Sequence, residues 1–108
     1  MAVLTEEMIG DSMYTGDGEY TWPDGKKYEG PWLNGLQNGE GKETEPEGHV
    51  YEGGFVSGER IGSYKKTFAN GVIVNAVIKE AGAAPTNCVY SNIPEDLQHL
   101  FNADGTLK

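Results

Sequence analysis

The amino-acid sequence predicts a mainly β fold, a single-layer antiparallel meander of β-hairpins that ends in a short helix. Three observations support this prediction: an internal repeat, glycines too frequent for helices, and turn dipeptides at regular spacing. The repeat is visible when "YEGPWLNGLQNGEG" is aligned with "YEGGFVSGERIGSY", which begins 23 residues later. Units of this length are built from either helices or hairpins, so the residue types must decide between them.

The glycines argue against helices. The chain has 16 glycines among 108 residues, and a glycine in a helix interior costs about 1 kcal/mol relative to alanine. In an extended strand, by contrast, alternate side chains share a face, so Tyr28, Gly30 and Trp32 lie together while Glu29 points the other way. Gly30 and Gly53 each lie between two aromatic residues of one face, and we predict that a ring from a neighbouring strand covers them.

Turn dipeptides mark both ends of each predicted hairpin. Asn34-Gly35 and Ser57-Gly58 are suited to tight turns because glycine accepts positive φ. The opposite end of each unit carries a second set of such dipeptides: Asp24-Gly25, Glu47-Gly48 and Asn70-Gly71. Each unit is therefore predicted to be strand, turn, strand, turn.

The motif resembles the MORN repeat family. It has the form Tyr-Glu-Gly-x-(Trp/Phe)-x-x-Gly-x-x-x-Gly-x-Gly, then an Asp, Glu or Asn before glycine, and then the next tyrosine. The resemblance extends from Gly16 to Val74, with the most specific matches in residues 28–41 and 51–62. Tyr64 departs from it by replacing a glycine of the motif. The resemblance implies an elongated single-layer sheet with an aromatic-lined groove for protein contacts, and lipid-headgroup binding in some members.

Three parts of the chain follow from these patterns. Residues 1–15 are predicted to be a degenerate N-terminal strand or cap, residues 16–78 the repeat sheet, and residues 79–108 a connector and a short amphipathic helix. The helix is predicted at residues 93–101, because Asn92 and Glu95 resemble a capping box and Pro94 suits a first turn. Its apolar stripe is predicted to be buried, either as a lid on the sheet or as a docking element: Ile93, Leu97, Leu100 and Phe101.

The predicted function is a non-catalytic protein–protein interaction module, a small scaffold or accessory subunit of a cytoskeletal, ciliary or membrane-associated assembly. The sheet holds about two and a half units, fewer than the three or so that make a stable stack, so something else must cover it. The chain ends, a second copy or another protein are the candidates. The aromatic residues are interpreted as mainly maintaining the fold, with a subset that lines a partner groove on the sheet face. The predicted partner-binding residues are Tyr28, Trp32, Tyr51, Phe55, Leu97, Leu100 and Phe101.

A peripheral membrane adaptor that binds anionic phospholipid headgroups is the alternative. Its predicted contacts are four lysines, each worth about 1 kcal/mol near an anionic surface: Lys26, Lys27, Lys65 and Lys66. The formal net charge of −9 opposes nucleic-acid binding.

No catalytic, cofactor or metal site is predicted. His49 and His99 are interpreted as lacking ligands at metal spacing, and Cys88 has no basic neighbour in sequence to activate it. Residues 102–105, "NADG", are interpreted as a helix C-terminal turn. A single cysteine and the absence of a signal-peptide pattern lead us to expect an intracellular protein, soluble or peripherally attached to a membrane.

Overall fold

The computed structural model describes residues 1–10 and 14–108. These residues form strands β1 (Ala2–Val3), β2 (Gly16–Thr21), β3 (Lys27–Leu33), β4 (Leu36–Gln37), β5 (Gly39–Thr44), β6 (Val50–Val56), β7 (Glu59–Thr67), β8 (Ile73–Ile78) and β9 (Thr86–Ser91). A short helix α1 (Glu6–Gly10) follows β1, and a 3₁₀ helix (Glu95–Leu100) follows β9. None of the helices in the described ranges is both long and apolar enough to cross a bilayer.

All nine strands belong to one sheet, which confirms the predicted mainly β meander. The strand order is β1-β2-β3-β5-β6-β7-β8-β9, and β4 pairs only with β3. Every pairing is antiparallel except that of β1 with β2. From β6 onward each strand pairs antiparallel with the strand before it in sequence, and the resulting molecule is elongated, at 48 × 25 × 19 Å.

The turn dipeptides adopt the predicted conformations. Asn34 and Gly35 have φ values of 51° and 81°, and Ser57 and Gly58 have 49° and 84°. Positive φ at both central residues is the tight-turn geometry whose twist matches that of the flanking strands. The repeated glycines at the other end of each unit also have positive φ: Gly25, Gly48 and Gly71.

The prediction for Gly30 was wrong about the origin of the ring that covers it. A methyl group at Gly30 would lie 2.9 Å from the hydroxyl of Tyr28, which belongs to the same strand. The Tyr28 ring continues over Gly41 of β5, where a side chain would overlap it. At Gly53 the neighbouring strand does supply the covering group, since Tyr64 Cβ lies 2.6 Å from the position that a methyl group would take.

Residues 79–92 were predicted to be a connector alone. They also contain strand β9. This strand pairs with β8 through Ile73 and Ser91 and through Val74 and Tyr90. The register shifts near Asn87, whose φ is 55°. Strand β9 was missed because it lies outside the repeat and its short segment holds few strongly apolar residues.

The C-terminal helix differs from the prediction in type, length and burial. It is a 3₁₀ helix that begins after Pro94, without a side-chain cap. Asn92, the predicted cap, instead has a φ of 54° and donates its side-chain amide to the carbonyl of Gly71 at 2.7 Å. No helix residue is buried, and Leu100 is 45% exposed.

Two backbone features explain these differences. Pro94 favours an extended conformation for Ile93, which therefore lies outside the helix. Phe101 is the C-cap residue and has an extended backbone, with φ −121° and ψ 152°, so it also lies outside the helix. The segment 102–105 is a hairpin turn rather than a helix C-terminal turn, because Phe101 bridges to Leu107 across it.

Candidate functional site

Six aromatic side chains form a continuous row along one face of the sheet. We call them the aromatic row, in contact order Trp22, Trp32, Tyr28, Phe55, Tyr51 and Tyr64. Neighbouring ring centroids lie 6.2 Å apart at Trp22 and Trp32 and 4.9 Å apart at both Tyr28–Phe55 and Tyr51–Tyr64. These separations are those of favourable aromatic pairs.

The four rings predicted to contact a partner lie inside the chain's own core. Tyr28 and Tyr51 are 0% exposed, and Trp32 and Phe55 are 2% exposed. Their polar atoms are already paired: the Tyr28 and Tyr51 hydroxyls donate to backbone carbonyls at 3.0 Å, and Trp32 Nε1 donates to that of Gly18 at 3.0 Å. These rings therefore stabilise the sheet and present no surface to a partner.

Two different kinds of side chain cover the aromatic row. At the N-terminal end Leu4 is 5% exposed and belongs to the same cluster, with Met8 and Ile9 of α1 packed against it. At Tyr51 the cover is polar, because the Arg60 guanidinium lies 4.3 Å from the centre of the Tyr51 ring. Burial raises the pKa of Tyr51 to about 12, so its hydroxyl stays a neutral donor at physiological pH.

Arg60 belongs to an ionic cluster that the sequence analysis missed. Arg60 Nη2 lies 2.6 Å from a carboxylate oxygen of Glu43 and 3.1 Å from one of Glu45. Lys66 Nζ lies 3.0 Å from the same Glu45 oxygen, and Gln37 Nε2 donates to Glu43 at 3.3 Å. Glu43 is only 5% exposed. We call Gln37, Glu43, Glu45, Arg60 and Lys66 the ionic cluster.

The repeat itself contains a signal for this cluster. At one offset of the unit the chain has Trp22, Glu45 and Phe68, so the central unit carries an acid where its neighbours carry rings. A residue that differs in type from its counterparts in the other units indicates an interaction that those units lack. The same offsets could have predicted that Glu45 needs a cationic partner.

The four lysines of the membrane alternative do not form one patch. Consecutive strand residues point to opposite faces, so Lys65 and Lys66 are separated by the sheet. On the polar face Lys27 bridges Glu19 and Glu29, at 3.4 and 3.1 Å. On the aromatic face the three other contacts are internal: Lys66 with Glu45, Lys66 over Phe68, and Lys26 over Trp22.

An open cleft lies between the sheet and the C-terminal segment. We call it the C-terminal cleft; its volume is about 420 Å³. Its walls are mainly apolar: Phe68, Val72, Tyr90, Ile93, Leu97 and Phe101. Two predicted partner-binding residues, Leu97 and Phe101, thus lie in one site, and both are half-buried. Leu100, the third from this segment, lies outside the lining.

His49 supplies one polar group of the C-terminal cleft. Its ring lies edge-on to Phe68 at 5.2 Å, and its Nδ1 accepts a hydrogen bond from the backbone N–H of Ala69 at 2.9 Å. A neutral imidazole that accepts at Nδ1 carries its proton on Nε2. The cleft therefore combines a mainly apolar wall with hydrogen-bonding side chains, those of His49, Asn70 and Tyr90.

His49 also has two acidic neighbours, contrary to the sequence interpretation. Glu45, Glu47 and His49 offer ligand atoms within 4.8 Å of one another. The Glu45 carboxylate, however, is already bound by Arg60 and Lys66. Two cations at this carboxylate oppose a metal ion by charge repulsion, so the ionic cluster accounts for the arrangement.

The C-terminal segment also covers part of the edge of the sheet. The N–H of Tyr90 in edge strand β9 donates to the carbonyl of Gly105 at 2.8 Å. The rings of Tyr90 and Phe101 lie 5.2 Å apart. Because unpaired edges promote aggregation, this contact protects β9 and also positions one wall of the C-terminal cleft.

Comparison with known families finds one match. The model of the MORN repeat matches residues 11–27 and 28–50. The first of these ranges precedes the best-preserved repeat and includes residues that the sequence analysis assigned to a degenerate cap. No curated protein matches this chain.

Proposed function

We propose that this chain, which carries MORN repeats at residues 11–27 and 28–50, is a non-catalytic protein–protein interaction module, a small scaffold or accessory subunit that holds a segment of another protein in its C-terminal cleft. MORN repeats are consistent with interaction with either proteins or membranes. The observation that carries the proposal is the open C-terminal cleft, which contrasts with the buried central rings of the aromatic row.

The C-terminal cleft has the properties of a binding site for an apolar group. Its volume of about 420 Å³ falls within the roughly 300–1,000 Å³ typical of ligand sites. Leu97 and Phe101 are only half-buried by their own chain. An apolar side chain that enters the cleft would complete their burial, which stabilises a complex by about 1.5–3 kcal/mol for each large side chain buried.

The other surfaces of the sheet offer less to a partner. On the polar face Lys42 lies across from Glu29 on one side and from Glu52 on the other, and Glu52 lies across from Lys65. Exposed pairs of this kind contribute about 0–1 kcal/mol each. Such a face is typical of solvated protein surface.

The distribution of lysines favours a protein partner over an anionic membrane. A lipid surface needs several basic side chains on one side of the molecule. Lys66 and Lys27 are instead paired with glutamates on opposite faces.

The non-catalytic part of the proposal rests on how the polar groups around the cleft are used. His49 Nδ1 already accepts the Ala69 N–H, and Glu45 is held by two cations. Neither group is therefore poised to remove a proton from a substrate.

A selection from a displayed random-peptide library tests the proposal. The chain is immobilised, and NMR amide shifts then locate each selected peptide. We expect the shifts at Phe68, Val72 and Phe101, and we expect binding to be lost in the double variant Leu97→Ser/Phe101→Ala. Peptides whose shifts lie only on the polar face would overturn the proposed site.

A matched control removes apolar surface elsewhere. Leu33 and Val56 are 46% and 51% exposed and lie beside hairpin turns. The double variant Leu33→Ser/Val56→Ala should keep binding the selected peptides with unchanged affinity. Equal losses of affinity in both double variants would mean that the peptides bind exposed apolar surface in general rather than the cleft.

A further inference from the structure

The rim of the C-terminal cleft is acidic. Glu47 lies beside His49, one of the lining residues, with ligand atoms within 4.8 Å. Glu95 and Asp96 form the first turn of the 3₁₀ helix, directly before Leu97. Within the described part of the chain, none of these three acids takes part in a salt bridge.

A second depression continues the cleft and adds a fourth acid. It has a volume of about 490 Å³, shares Tyr90, Ile93 and Phe101 with the cleft, and is also lined by Asp104. The Asp104 carboxylate accepts hydrogen bonds from the hydroxyl and the N–H of Thr106, at 2.7 and 3.1 Å. These bonds lower the pKa of Asp104, which keeps it ionised and fixed at neutral pH.

Lys66, which lies 5.2 Å from the centre of the cleft-lining Phe68 ring, is already used inside the protein. Lys66 Nζ is bound to Glu45 at 3.0 Å, and Arg60 is bound to both Glu43 and Glu45. Internal cations therefore neutralise the acids of the ionic cluster and leave those of the rim. A segment that crosses this surface meets an apolar wall and, next to its lining residues, four carboxylates.

Resting on the proposed function, we propose that the segment bound in the C-terminal cleft is basic: a bulky apolar side chain enters the cleft, and flanking lysines or arginines face Glu47, Glu95, Asp96 and Asp104. Rim charges of this kind act mainly on specificity and association rate. The net charge of −9 argues against a second copy of this chain as the occupant, because that copy would bring further acids to an acidic rim.

Two matched peptide libraries test this inference. Both carry a randomised apolar residue at the centre, and they differ only in flanking residues, lysine and arginine in one and aspartate and glutamate in the other. We expect binders at the cleft, located by NMR, from the basic library alone. Their affinity should fall between low and physiological salt, because exposed charges are screened.

Charge-neutral variants test where on the molecule the charge acts. The rim variant Glu95→Gln/Asp96→Asn/Asp104→Asn keeps an acceptor oxygen for Thr106 and should weaken the basic peptide about tenfold, as expected for three rim charges. The control variant Glu6→Gln/Glu7→Gln/Asp17→Asn removes the same net charge from exposed residues at the other end of the chain. It should leave the affinity unchanged.

The outcomes separate this inference from the function on which it rests. Binders drawn equally from both libraries, or equal losses in the two triple variants, would overturn the basic partner while leaving a protein-binding cleft. Binding at the cleft from neither library would overturn the proposed function and this inference with it.

Discussion

The aromatic row and the C-terminal cleft use the same kinds of side chain in opposite ways. In the row, rings that recur with the repeat are 0–2% exposed and have their polar atoms paired within the chain. In the cleft, Phe101 and Leu97 come from a segment outside the repeat and remain half-exposed. The comparison teaches that the repeated residues build the sheet, whereas the residues that break the pattern build the surface available to a partner.

The two repeat units also differ from each other. Around Trp32 and Tyr28 the cover is apolar and comes from Leu4, Met8 and Ile9 at the N-terminus. Around Tyr51 it is ionic and comes from Arg60. The cover of the aromatic row is thus apolar near the N-terminus and ionic at Tyr51, and an ionic cover stabilises only while every charged partner is present.

The largest expected effect compares one phenylalanine from each region. Phe55→Ala should lower the free energy of unfolding by about 3–5 kcal/mol, because it leaves a cavity under the aromatic row. Phe101→Ala should lower it by only about 1 kcal/mol, because the side chain is half-exposed, yet it should abolish binding of cleft peptides. Urea unfolding of both variants measures the difference. Equal destabilisation by the two changes would show that the cleft is part of the core.

The next effect concerns the ionic cover. Arg60→Met leaves the nearly buried carboxylate of Glu43 without its cation and should cost about 3 kcal/mol, as breaking a buried pair does. The double variant Arg60→Met/Glu43→Gln should recover much of this loss, since a neutral amide can still accept from Gln37. A double variant no more stable than the single one would mean that Arg60 acts through its packing on Tyr51 rather than through its charge.

The sequence predicted the hairpins because turn chemistry is local. Asn34-Gly35 and Ser57-Gly58 determine their own φ angles, and the alternation of Tyr28, Gly30 and Trp32 places three side chains on one face. A role in maintaining the fold was expected for most of the rings, but their complete burial was not, because it depends on residues far along the chain, such as Leu4. An alternating pattern shows which face a ring lies on, not whether another segment covers it.

The C-terminal half of the site was harder to predict for a related reason. The pattern at residues 93–101 is compatible with an α-helix, but Pro94 and the hydrogen bond from Asn92 to Gly71 start a shorter 3₁₀ helix instead. The cleft lies between Tyr90 and this helix with its flanking residues Ile93 and Phe101. Ile93, Leu97 and Phe101 were identified as one stripe, but their incomplete burial required the structure.

A smaller effect should appear on acidification. Burial alone would raise the pKa of Glu45, but hydrogen bonds from Lys66 and Arg60 outweigh it and hold the pKa below its usual value of 4.5. A depressed carboxyl pKa adds stability above the unfolded-state value that is lost as the pH falls through the folded-state value. We therefore expect unfolding free energy to decrease below pH 4.5, by about 1 kcal/mol or less for this partly exposed pair.

The control for acidification is Glu45→Gln, measured by urea unfolding at a series of pH values. It should show a flatter acid limb than the unchanged protein while retaining a hydrogen-bond acceptor for Lys66. If the variant kept the full acid dependence, the ionic cluster would not be the source of the pH effect.

The most local effect is expected at the contact that links the C-terminal segment to the sheet edge. Gly105 and Gly82 have φ values of 89° and 80°, so alanine at either position costs about 1 kcal/mol of left-handed strain. They differ in their surroundings: a methyl group at Gly105 would overlap the carbonyl oxygen of Tyr90, whereas one at Gly82 meets nothing within 4 Å.

Gly105→Ala should therefore detach the segment from β9, while Gly82→Ala should not. Without the Gly105 carbonyl, the N–H of Tyr90 loses its acceptor, and its amide exchange should become at least about tenfold faster, the equivalent of 1.4 kcal/mol of local opening. Exchange in β3 and β6, beneath the aromatic row, should change equally in both variants, because only the shared strain reaches them. Peptide affinity should fall in Gly105→Ala alone, since Phe101 then no longer forms a fixed wall of the C-terminal cleft. Unchanged exchange at Tyr90 in Gly105→Ala would mean that the cleft wall is held by the Tyr90–Phe101 ring contact and not by the edge of the sheet.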